Sequence, residues 1–319
     1  MPRFDVTTIG EGQLRYSVPV GNRLEQITQL DVSVAGTEAN VTGLLTRLGW
    51  SCGWISSLPK GPLGRRIMRE YSIAGLDLSA VVWRDTGRLA TYYVEYAVPP
   101  RSTTVIYDRK DSCFANLTVD DIDWDYLLDT RLLHLSGITI ALSASMRGIL
   151  LEAIRRAKAK GVKVSFDMNY RSLLWPPEEA AAGVKPVFDA VDVLFLARGD
   201  AQRMFGFEGS PQQIVKQIAP LTNAQHIVTS LGGEGLIGWD REQFIHQPAR
   251  EVGIIDRIGA GDAMVGGVLH GWLQNDFAKG IRYGVLTAAL ALSQWGEQII
   301  TSSEEVETLL DATNSEISR

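Results

Sequence analysis

The residues best suited to chemistry lie in one stretch, Asp256-Arg-Ile-Gly259-Ala260-Gly261-Asp262, followed by Ala-Met-Val-Gly266-Gly267. A strand-like Val252–Ile255 leads into a Gly-Ala-Gly turn, and an apolar helix begins there. The glycines let a ligand approach the backbone and find unpaired N–H groups. With the positive end of the helix dipole, that suits an anion such as a phosphoryl group in transfer. Asp262 falls in the first turn of the helix, where the same potential should hold it ionised and able to accept a proton from an attacking hydroxyl. Glycine turns and first-turn aspartates also serve as plain helix caps, but the motif together with the small-residue run through Gly267 favours function. A second set is Asp167, Asn169 and Arg171. These alternate with Val162, Val164, Phe166 and Met168, so the polar three are predicted to share one strand face. A carboxylate, an amide and a guanidinium at the carboxyl end of a parallel strand stand where α/β proteins bind ligands.

Other chemistries are excluded. There is no Gly-Lys dipeptide and hence no GxxxxGK[ST] phosphate loop. The four histidines, His134, His226, His246 and His270, are far apart, and His134 reads as a core residue of an apolar strand. Cys52 and Cys113 are the only cysteines, which rules out a cysteine-based zinc site or disulfide scaffold and fits a reducing cytosol. Gly233-Glu-Gly235-Leu-Ile-Gly238 matches a dinucleotide fingerprint, but two strands rather than a helix follow it, so an NAD reading lacks its helix N-terminus. A net charge of −6 with no long basic run disfavours a nucleic-acid binder. The first residues lack an apolar signal core, and the longest apolar stretch, Val285–Leu292, is far short of the roughly 20 residues of a membrane span. A cytoplasmic protein is expected.

To hold these groups in place, the 319 residues, 45% hydrophobic, suffice for one α/β domain, 1–319. Phe4–Ile9, Gly53–Leu58, Leu132–Leu135, Val162–Met168, Val191–Leu196 and Ile227–Leu231 read as strands. Thr37 is placed as cap of a helix Glu38–Leu48. Further helices are expected at Leu63–Ala74, Ser143–Lys160, Gln212–Ile218, Gly261–Trp272, Ala278–Trp295 and Glu304–Leu310. The alternation predicts a doubly wound, mostly parallel sheet covered by helices on both faces. Leu89–Val98 and Thr103–Tyr107 form an antiparallel pair within a small β-sheet lid, made from segments of about 12–34 and 88–112.

GAGDA at the head of a small-residue helix resembles the C-terminal signature of the ribokinase-like (PfkB) carbohydrate kinases. Ala35-Gly36-Thr37-Glu38-Ala39-Asn40-Val41 is similar to their N-terminal signature, and Ser230-Leu-Gly232-Gly233-Glu-Gly235 to their nucleotide loop. The three occur in the family's order across essentially the whole chain. Within the family, His134-Leu-Ser-Gly-Ile138, Asp167-Met-Asn169-Tyr-Arg171 and Tyr107-Asp-Arg109-Lys resemble the 2-keto-3-deoxygluconate kinase subgroup.

The resemblance implies an ATP- and Mg²⁺-dependent sugar kinase, with 2-keto-3-deoxygluconate as acceptor. In it Asp262 is the base, and Gly259, Ala260 and Gly261 form the anion hole. Gly36, Thr37, Glu38 and Asn40 line the sugar pocket with Tyr92 and Tyr107, and Arg109 and Arg171 meet the acceptor carboxylate. Ser230, Gly232, Gly233 and Gly235 contact ATP, with Asn169 and Arg171 as further candidates on the nucleotide side. The chain departs from the family at Ala35, at Arg257-Ile258, and at Ala197-Arg-Gly-Asp200, where only an acid survives from the magnesium segment. Asp200 is thus expected to reach a metal only through water. The rival readings are a kinase for fructose, ribose or a nucleoside, and a non-catalytic sensor of sugar or nucleotide. Exposed lid strands suggest a homodimer or higher oligomer built through the lid.

Overall fold

The structure, a computed structural model, describes residues 2–311. In chain order the strands are β1 (Phe4–Ile9), β2 (Gln13–Val18), β3 (Asp31–Ala35), β4 (Cys52–Ile55), β5 (Ser57–Pro59), β6 (Val82–Arg84) and β7 (Ala90–Glu95). They continue with β8 (Thr104–Asp108), β9 (Thr130–Ser136), β10 (Lys163–Asp167), β11 (Val193–Phe195), β12 (His226–Ser230), β13 (Leu236–Trp239) and β14 (Phe244–Gln247). Eight of them form the main sheet in the order β14-β13-β12-β11-β10-β9-β1-β4. It is parallel from β4 to β12, and β13 and β14 close it as an antiparallel edge.

Apolar residues on the central strands go alternately to opposite faces. Leu132 and Val193 join one core with helices Thr37–Arg47, Ala260–Leu273 and Phe277–Leu292. Their neighbours Leu133 and Leu194 join the other, with helices Ala144–Lys160, Pro177–Phe188 and Pro211–Ile218. This is the expected doubly wound sheet, covered on both sides. His134 is buried in it, its Nδ1 2.9 Å from Ser165 Oγ, and burial lowers its pKa to about 3. The glycine fingerprint ends in antiparallel β13, not a helix, as its sequence context predicted.

The small sheet, in order β3-β2-β7-β8, is mixed: β2 pairs with β7 in parallel, and the outer pairs are antiparallel. Its core is Tyr92, Val94 and Tyr96 over Ala35, too few residues to stand alone, so it depends on packing against the main domain.

Three local expectations need correction. Gly53–Leu58 is two strands in different sheets, broken at Ser56, because β5 leaves the main sheet to pair with β6. Thr37 is the first residue of its helix rather than the cap; Gly36 holds the cap position, and the Thr37 hydroxyl is used elsewhere. Val252–Ile255 is not a strand, since no partner strand lies beside it among the described residues, and Ile254 and Ile255 stay exposed.

Candidate active site

Helix Ala260–Leu273 carries Asp262 in its first turn. It is locked against helix Phe277–Leu292 by close backbone approach: a Cβ on Gly271 would lie 2.3 Å from Gly280 Cα. Gly259 is its N-cap in the left-handed region, at φ 94°, and a side chain there would strike the Glu297 backbone at 2.8 Å. Only glycine meets both demands. The turn therefore leaves its N–H groups at the positive end of a rigidly held helix.

Around Asp262 the structure assembles residues from two other segments, helix Thr37–Arg47 and the turn after β10. Thr37 Oγ1 donates to Asp262 Oδ1 at 2.5 Å, and Asn40 Nδ2 donates to Oδ2 at 2.8 Å. Asn169 Nδ2 donates to Thr37 Oγ1 at 3.0 Å, which orients the hydroxyl toward the carboxylate. The helix dipole is expected to keep Asp262 ionised, and burial works against it. Desolvation raises the Asp262 pKa, while the bonds from Thr37 and Asn40 and the charge of Arg171 pull it back. A carboxylate held above its usual range is the better proton acceptor.

Asp262 opens onto a cavity of about 320 Å³. Gly36, Thr37, Glu38, Asn169, Gly259 and Gly261 line it, as do Tyr92 and Tyr107, whose rings sit 5.4 Å apart across β7 and β8. Asp167, Arg109 and Arg171 complete the wall. Asn40 does not line it; it is buried behind Asp262 and holds the carboxylate instead. Nor do Asp167, Asn169 and Arg171 share a strand face. The strand ends at Asp167 and the chain turns through Asn169 at φ 40°, and that turn carries Asn169 and Arg171 to the cavity.

A second cavity, of about 530 Å³, lies beside the first. Ser230, Gly232, Gly233 and Gly235 border it, with Ala260, and Gly261 and Arg257 belong to both cavities. Its apolar wall of Val285, Ala288, Ala289 and Leu292 could receive a flat ring, and nothing in the sequence singled out those helix positions. Asn169 and Arg171 line the first cavity rather than this one.

Two carboxylates of the cavity, Glu11 and Glu297, were not foreseen. Glu11 lines the first cavity and accepts from Arg109 Nε and Nη2 at 3.0 and 2.7 Å. Glu297 lines it too, and burial raises its pKa to about 7 despite the charge of Arg15 and the bond from Asn40. Asp256, at the head of the GAGD turn, is buried against Arg15. Glu38, bonded by the Thr139 hydroxyl, is raised by burial to about 7, and Asp167 to about 8, with Asp262 and Asp200 repelling its charge. Asp200 lies outside both cavity walls, bonded to Arg203 at 2.9 Å.

A transferred group at the shared Gly261 would thus have a base, an anion-binding turn and two facing cavities around it. The family model for pfkB family carbohydrate kinase matches residues 5–304. The chain belongs to that family. The kinase is similar to the 2-dehydro-3-deoxygalactonokinase of Haloferax volcanii, 34% identical over 99% of each chain. It is similar to the 5-dehydro-2-deoxygluconokinase of Bacillus subtilis, 24% identical over 97% of this chain and 96% of that one. It also superposes on the 2-dehydro-3-deoxygluconokinase of Thermotoga maritima with TM-score 0.91 and 29% identity, over 97% of this chain and all of the other. The kinase is ATP-dependent and acts on a carbohydrate, as the three sequence signatures implied. Among the described residues, no helix is long and apolar enough to cross a membrane.

Proposed function

We propose that this kinase phosphorylates a hydroxyl of a 2-keto-3-deoxy sugar acid, with 2-keto-3-deoxygluconate and its galactonate epimer as the acceptors. The observation that carries the reading is the pairing of cavities at Gly261. The cavity holding Asp262 also holds Arg171, which makes no ion pair among the described residues. Arg171 is exposed at the cavity wall, so its guanidinium is accessible to a ligand, and an acidic acceptor supplies a carboxylate for it to bind. A neutral sugar would not.

In the reaction Asp262 takes the proton of the acceptor hydroxyl as its oxygen bonds to the γ-phosphorus. The bond from that phosphorus to the β,γ-bridging oxygen breaks, and ADP leaves with the electron pair. The Gly259–Gly261 amides stabilise charge on the phosphoryl oxygens. Thr37, Asn40 and Asn169 hold the base. The small sheet closes over the acceptor and keeps water from the phosphorus.

The donor set suits Mg²⁺ brought in with the nucleotide. No three His, Cys, Asp or Glu among the described residues form a protein metal cage, while Asp167 and Asp262 repel one another at the cavity wall. Magnesium of this kind is held chiefly by phosphate and water. Asp167 would face it, and Asp200 would reach it only through water. When bound, it neutralises charge on the phosphates.

The test is ADP release with MgATP across 2-keto-3-deoxygluconate, its galactonate epimer, 5-keto-2-deoxygluconate, gluconate, fructose, ribose and adenosine. Turnover greatest on a 2-keto-3-deoxy acid supports the reading. Turnover confined to a neutral sugar or nucleoside removes the substrate assignment, and ATP binding with no turnover anywhere favours a sensor.

A further inference from the structure

We propose that Arg15 is a positioning residue for phosphoryl transfer. From the small sheet it holds the turn that forms the anion hole and, through Glu297 and Asn40, the orientation of Asp262. The inference rests on the reading of Asp262 as the base.

Arg15 stands on β2 with its side chain 1% exposed. Its Nη2 donates to Asp256 Oδ2 at 2.6 Å, and its Nε donates to Ser17 Oγ at 3.0 Å. Asp256, itself fully buried, spends its remaining capacity on the catalytic turn. Oδ1 accepts from the Ile258 N–H at 3.0 Å, and Oδ2 accepts from the Gly296 N–H at 3.3 Å. Those two bonds clamp the stretch before Gly259 to the segment whose Glu297 backbone packs on Gly259.

A second branch leads to the base. Arg15 Nη1 lies 3.7 Å from Glu297 Oε1, and neither atom has a hydrogen-bond partner, so charge rather than a bond couples them. Glu297 Oε2 accepts from Asn40 Nδ2 at 3.2 Å, and the same amide nitrogen reaches Asp262 Oδ2 at 2.8 Å. The Tyr96 ring lies 5.5 Å from the guanidinium, and Trp295 packs edge-on against Tyr96 at 5.3 Å, which shields the ion pair from water. A buried pair of this kind adds little net stability compared with apolar side chains of the same size. What it supplies here is geometry, because the turn, the Asn40 amide and the small sheet are fixed to one another through a single guanidinium.

The test uses the full chain with MgATP and the acceptor on which the wild type turns over. Arg15→Ala is expected to lower kcat about 100-fold while the acceptor KM stays within about threefold, the signature of misplaced reacting groups. Arg15→Lys, which keeps the charge but not the fork, should lose about tenfold, and millimolar guanidinium should restore part of the Arg15→Ala kcat. An Arg15→Ala protein with native circular dichroism and kcat within about twofold of wild type overturns the proposal, as does a loss confined to KM. If Arg15→Ala does not fold, Arg15→Lys decides, and unchanged kcat there is equally fatal. Wild-type turnover separates the two claims. Its absence on every acceptor defeats the reading of the reaction and this inference with it, whereas equal turnover of wild type and variant defeats Arg15 alone.

Discussion

Arg109 donates two hydrogen bonds to one oxygen of Glu11, at 3.0 and 2.7 Å, with both side chains buried. The pair spans 98 residues of sequence and fixes the end of the small sheet to the loop after β1. Its charge is therefore already answered within the protein. Arg171 and Arg257, which also line the cavity, make no ion pair among the described residues, and Arg171 is the one proposed to meet an acceptor.

Removing Arg109 would leave Glu11 buried and unpaired. Arg109→Ala is expected to cost about 3–5 kcal/mol of stability, read as a lowered midpoint in urea unfolding. Adding Glu11→Gln to it should recover a large part of that loss. If Arg109→Ala unfolds with the wild-type midpoint, the ion pair is not structural.

Asp262→Asn keeps the shape of the site while removing the proton acceptor. We expect kcat to fall by a factor of about 10²–10⁴, with nucleotide binding by calorimetry changed little, because Asp262 does not line the second cavity. Full turnover in this variant would remove Asp262 from its role.

Much of this site was legible in the sequence because its parts are local. The Gly259–Asp262 turn, the Gly232–Gly235 loop and the Tyr92–Tyr107 pair each reveal themselves within a few residues, through glycine spacing or strand alternation. Likewise the main sheet followed from short apolar runs alternating with helical ones. What could not be read were contacts closed by the fold. Glu11 meets Arg109, and Glu297 meets Asn40 across 257 residues, with no local period to announce either. Strand alternation continued past Asp167 on paper, but Asn169 adopts a left-handed conformation that a list of residue types does not disclose. The same holds for Asp262: a dipole can be inferred from helix position, whereas desolvation depends on what packs around it.

The buried carboxylates give the protein a stability that falls with rising pH. Glu38 and Glu297 titrate near about 7 and Asp167 near about 8 when folded, whereas unfolded carboxylates titrate near ~4. Between those limits the folded chain binds more protons, so each carboxylate destabilises it as pH rises. Below about pH 6.5 the buried His134 and His270, lowered to about 3 and about 4, add the opposite slope. The clean window is therefore about pH 6.5 to about 8.5. Across it the melting temperature of the protein without ligands should fall, and Asp167→Asn should flatten the decline. A melting temperature that rises through this window contradicts the assignment.

The outer face of the small sheet carries stacked Tyr16 and Tyr93, 5.2 Å apart, beside Ile106, which is 49% exposed. We propose that a second copy of the chain covers it. Sedimentation should show a dimer or larger oligomer for the wild type, and Tyr93→Arg should shift it toward monomer without unfolding it. A monomeric wild type at micromolar concentration ends this proposal.

The central claim is that the acceptor is a sugar acid held by Arg171 beside Asp262. It is tested most directly by the ratio of kcat/KM for 2-keto-3-deoxygluconate to that for fructose, in the wild type and in Arg171→Gln. The account predicts a wild-type ratio of at least about 100 that drops more than about tenfold in the variant, because one charged contact to a carboxylate is lost. A wild-type ratio below one, or a high ratio that Arg171→Gln leaves unchanged, would contradict it.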